Sequence, residues 1–60
     1  MNETIEEIRE NTKNWEFARL FGYTTGILES CKYYNEVEKK QERIDYALNL
    51  MQVLWEKRKE

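Results

Sequence analysis

The sequence predicts an all-α protein: an antiparallel helical hairpin that dimerises into a four-helix bundle. Three observations point there. Strong helix formers (Glu, Lys, Leu, Ala, Arg, Met, Gln) dominate the 60 residues. Thr, Val and Ile never alternate over five residues, so strands have little support. Apolar residues recur at helical spacing in both halves of the chain, on stripes of matching length.

The first helix is predicted over about residues 3–33. Asn2 offers an N-cap, and Glu3, Glu6 and Glu7 lie near the positive end of the helix dipole. The turn is placed at 34–36. Asn35-Glu36-Val37-Glu38 reads as a cap with an acidic residue three positions on, and Asn tolerates the left-handed conformation that ends a helix. The second helix is predicted over about 36–58, closing on Lys57-Arg58-Lys59, where a helix favours cations. Two other readings exist. Arg19-Leu20-Phe21-Gly22 resembles a helix C-terminus, which would move the break to Gly22–Gly26. A heptad series through Ile27, Tyr34, Gln41, Leu48 and Trp55, with Val37, Ile44 and Met51 between, is compatible with one continuous helix. The hairpin is preferred because a turn near Asn35 sets stripe 17–34 beside stripe 37–55. The glycine break would pair helices of unequal length.

Advancing about 100° per residue gives the first helix two opposed faces. Phe17, Leu20, Phe21, Thr24, Leu28 and Cys31 form one. Ile5, Ile8, Thr12 and Trp15 lie opposite and continue into a small-residue track, Ala18, Gly22, Gly26 and Ser30, at a spacing of four. A single neighbouring helix cannot cover both faces, so self-association is expected. Its interface is assigned to Ile8, Trp15, Ala18, Gly22, Gly26 and Ser30, because small residues let a second backbone approach closely. In the second helix Ile44, Ala47, Leu48, Met51, Leu54 and Trp55 form the expected core stripe. Tyr46, Leu50 and Val53 lie opposite it. With Tyr33 and Tyr34 they are the expected partner-binding residues, since Tyr joins a large contact area to a polar tip.

Composition removes whole classes of function. There is no His and one Cys, so the commonest general base, a thiolate zinc site and an internal disulfide are all excluded. Cys31 lies on the main apolar stripe, as a small buried hydrophobe does. No cofactor or metal site is expected, and no catalytic residue. The longest uncharged runs, Leu20–Leu28 and Tyr46–Trp55, fall well short of the roughly 20 residues that span a bilayer. The acidic N-terminus lacks a signal-peptide pattern, so a cytoplasmic location is expected. The net charge is -2.

One domain, residues 1–60, fits this length. Its expected role is that of a small non-enzymatic protein-interaction module. It would be a regulator, adaptor or inhibitor of the kind phage and mobile elements encode, acting stoichiometrically through exposed helix faces. The first alternative is a dimeric nucleic-acid-binding protein using the end clusters Lys39/Lys40/Arg43 and Lys57/Arg58/Lys59. Glu36, Glu38, Glu42, Glu56 and Glu60 are interleaved with those clusters and cancel much of their field. The second alternative is an assembly or scaffolding protein.

Overall fold

The computed structural model describes residues 3–59, and among them every regular element is helical. Three α-helices occur: α1 (Ile5–Thr12), α2 (Phe17–Ser30) and α3 (Val37–Arg58). A single 3-10 turn, Cys31–Tyr33, ends α2. Asn2 lies outside the described residues, and the cap of α1 is Thr4. Its hydroxyl accepts from the Glu7 amide (3.2 Å), while the Glu7 carboxylate accepts from the Thr4 amide (3.0 Å). This reciprocal pair satisfies two amides that a helix start leaves without partners.

The continuous first helix expected over 3–33 is instead two helices. Lys13–Glu16 interrupts it, with Glu16 extended at φ -71°, ψ 154° and the Trp15 amide donating to the Thr12 carbonyl at 2.9 Å. Neither glycine breaks the chain. Gly22 and Gly26 lie inside α2, and no glycine has a positive φ. The physical reason for the true break is the phase jump between Trp15 and Phe17. Ile5 and Ile8 point opposite to Leu20, so the two segments reach one core only if the chain folds back between them. The poor helix formers Asn11, Thr12 and Asn14 lower the cost of interruption there.

The chain turns between the 3-10 turn and α3. Tyr34 is extended and α3 begins at Val37, but its N-cap is Glu36 rather than Asn35, and no side chain caps it. The Lys40 amide donates to the Glu36 carbonyl at 3.0 Å.

Contacts between helices fix their directions. Tyr34 meets Arg43 and Tyr23 meets Tyr46, so α2 runs back along α3. Glu3 meets Tyr46 and Arg9 meets Glu56, so α1 runs with α3 along its C-terminal half. The core sits where the three meet: Ile8 from α1, Leu20 from α2, and Tyr46, Leu50 and Val53 from α3. Ile5, Trp15, Ile27 and Leu54 pack around it. Thr12 and Thr24 are buried, and each hydroxyl donates to the carbonyl four residues back, Ile8 at 2.7 Å and Leu20 at 2.8 Å. Neither buried hydroxyl is left unpaired.

Candidate interaction surface

Most of the α3 stripe that the sequence assigns to the core is exposed, although two of its members, Ala47 and Leu54, are buried or pack on the core. Tyr46, Ala47, Leu50 and Val53 are buried, while Ile44, Leu48, Met51 and Trp55 stay open to solvent. Tyr46, Leu50 and Val53 are therefore core residues and cannot serve as partner-binding residues in this fold. Ile8 is likewise buried within the chain, only 1% exposed, and is no part of a self-association surface. α1 causes the inversion. By laying Ile5 and Ile8 against α3 it selects the Tyr46/Leu50/Val53 side for burial.

The remaining assigned residues lie outside the core. Trp15 is half-buried and meets the Tyr23 ring edge-on, with centroids 5.6 Å apart. The Arg19 guanidinium stacks on its ring at 4.0 Å. Ala18, Gly22 and Gly26 are exposed, and a side chain added at either glycine would meet no atom within 4 Å. Ser30 is half-buried, with its hydroxyl donating to the Ile27 carbonyl at 2.6 Å. Tyr33 is exposed, and the Tyr34 hydroxyl accepts from Arg43 Nε at 3.2 Å. Cys31 is half-buried, its Sγ 3.5 Å from the Ile27 carbonyl.

Helical spacing gathers the exposed apolar residues into stripes. Val37, Ile44, Leu48, Met51 and Trp55 fall within about 60° of one another around α3. Apart from Gln41, they occupy successive alternating steps of three and four, the seam pattern of a helix meeting another helix. On α2, Phe17, Phe21 and Leu28 fall within about 40°. The Phe17 and Phe21 rings stack at 6.1 Å. The two stripes meet at a groove of about 400 Å³ walled by Phe17, Phe21, Met51, Leu54 and Trp55, with Arg58 at its edge. Trp55 is half exposed, and its ring carries Lys59 Nζ at 4.9 Å and the Arg58 guanidinium at 5.4 Å.

Elsewhere the surface is ionic. Arg9 grips Glu56 through two hydrogen bonds of 2.7 and 2.6 Å, which pulls the Glu56 carboxyl down to about 2. Lys13 pairs with Glu10, Lys32 with Glu29, and Lys39 with Glu36. Among the described residues no His/Cys/Asp/Glu group could hold a metal ion, and no helix is long and apolar enough to cross a membrane. Compared with known proteins, the chain matches no family model, no curated protein and no solved structure.

The sequence carried the signal for this surface in its heptad series. Reading Leu48, Trp55, Val37, Ile44 and Met51 as a seam finds the exposed stripe. Treating the same residues as the hairpin core hides it.

Proposed function

We propose that this chain is a small non-enzymatic interaction module that works by presenting the α2/α3 apolar face to other helices. A second copy of the chain is the first such occupant, which makes a dimer with α2 and α3 of each copy forming a four-helix layer. One observation carries the reading: the apolar stripe of α3 has seam spacing and lies open beside Phe17 and Phe21. Contiguous exposed apolar area on a soluble chain marks a binding surface.

Size supports self-association. The chain exposes 4664 Å², against about 4,200 Å² for a folded monomer of this mass. The eight exposed side chains of the two stripes, at roughly 80 Å² each, offer on the order of 600 Å² per copy. A two-fold contact would bury about 1,200 Å², the lower bound of stable interfaces. The small-residue track Ala18/Gly22/Gly26 lies on another side of α2 and offers little apolar area, so it does not carry the proposal.

Sedimentation of the wild type and of Leu48→Lys tests it. The wild type should sediment as a dimer at about 50 µM. Leu48→Lys should remain helical and sediment as a monomer, because a charge in the seam centre loses its hydration on contact. A wild-type monomer at that concentration refutes the dimer. Retention of the dimer by Leu48→Lys refutes this face.

A further inference from the structure

A second cavity, about 150 Å³ in volume, lies where α1, α2 and α3 converge, on the buried side of α3 and away from the apolar face. Three of its walls are aromatic: Trp15, Tyr23 and Tyr46. The Trp15 and Tyr23 rings meet edge to face, at 89° to each other. Ile8, Leu50, Asn11 and Thr12 complete its lining, and Glu3 is the one charged side chain there. Glu3 forms no ion pair among the described residues. Arg9 is committed to Glu56 and Lys13 to Glu10, and Arg19, stacked on Trp15, is not part of the lining.

The polar groups around Glu3 are already matched. Tyr46 donates to Oε1 at 3.0 Å and Asn11 donates to Oε2 at 2.6 Å. Since the Tyr46 proton goes to Glu3, Tyr23 donates to the Tyr46 oxygen, also at 3.0 Å. Both oxygens of the Glu3 side chain thus accept hydrogen bonds. Burial and this chain of bonds push the Tyr46 phenol well above its usual range, so it stays a donor.

We infer that this cavity binds a quaternary ammonium group. Ring faces present negative charge to a cation, and a nearby carboxylate adds to it. A trimethylammonium head group has no N–H donor and loses little hydration on entering. The volume allows about five heavy atoms at the ~30 Å³ that a water-sized group occupies. That is the nitrogen and four carbons of such a head group. The chemistry fits two sources, a free small molecule such as choline or a trimethylated lysine side chain.

Proton–nitrogen NMR titration of the Trp15 indole tests this on the intact chain, at ionic strength held constant with sodium chloride. Choline, a trimethyllysine peptide and the uncharged isostere 3,3-dimethylbutan-1-ol are the probes. At least one cation should saturate the Trp15 signal with a Kd of about 1 mM or lower, while the Trp55 indole stays still. The alcohol should bind at least about tenfold more weakly, and so should choline to Glu3→Gln. Tighter binding of the peptide assigns the site to a modified side chain, and tighter binding of choline to a free ligand. No saturable shift with either cation up to about 10 mM overturns the inference. So does equal binding of the alcohol, a comparison that needs no variant. Neither outcome depends on whether the α2/α3 face dimerises.

Discussion

Arg9 and Glu56 show what one side-chain pair contributes and under which conditions. The pair ties α1 to α3 at the surface, 47 residues apart in sequence. Its hydrogen bonds hold the Glu56 carboxyl near 2, below its ordinary 4.5. A carboxyl depressed by folding stabilises the fold fully above its unfolded pKa, and that stabilisation is lost as pH falls through the folded value. Thermal melts should therefore show a decline between about pH 4.5 and 2 that is smaller in Arg9→Ala. Glu7, lowered by its bonds to Thr4, contributes a decline of the same sign that Arg9→Ala leaves in place. The core makes larger demands. Leu50 is 1% exposed, and Leu50→Ala should cost about 2–5 kcal/mol in chemical denaturation. Leu48→Ala, two positions away on the open stripe, should change monomer stability by less than about 1 kcal/mol.

α2 bears marks of incomplete optimisation, and each gives a test. α2 starts at Glu16, whose side chain caps nothing. Glu16→Asp places a carboxylate within reach of the first free amides and should stabilise the chain by about 1 kcal/mol. Gly22 and Gly26 lie in α2 with open space where a side chain would go. Alanine at each should add about 1 kcal/mol, raising the melting temperature by about 4–8 °C per site. A fall at Gly22 or Gly26 would reveal a second backbone against that strip. The elements were unequally legible in the sequence. Asn35-Glu36 marked the turn and Lys57-Arg58-Lys59 marked the end of α3, because local chemistry decides both. The break at Lys13–Glu16 contains neither glycine nor proline, and its signal was the reversal of phase from Ile8 to Leu20. The burial of α3 was not legible from α3 alone. Ile44/Leu48/Met51/Trp55 and Tyr46/Leu50/Val53 are both apolar, and only the position of α1 decides between them.

At the scale of the whole molecule, three helices share one small core and leave a second apolar face uncovered. If that face closes on another copy, stability depends on protein concentration. Melting temperature should rise between about 1 and 100 µM for the wild type and stay level for Leu48→Lys. The same variant separates the two sites. Loss of the dimer should leave the cavity beside Glu3 intact, since none of its walls lies on the open stripe.

The four residues Lys13–Glu16 also set a time scale. α1 is eight residues long, and two turns of helix do not persist in water without support. Its order is on loan from α3 through Ile8, Arg9 and Glu3, and when those grips release, the segment reverts to coil while α2 and α3 remain paired. Amide protons report such openings by the rate at which they trade with deuterium. Those of α1 should be replaced first, and those around Ala47–Leu50 last. The molecule thus has a fast clock in α1 and a slow one in the α2–α3 pair. Each tick of the fast one briefly bares Tyr46, Leu50 and Val53.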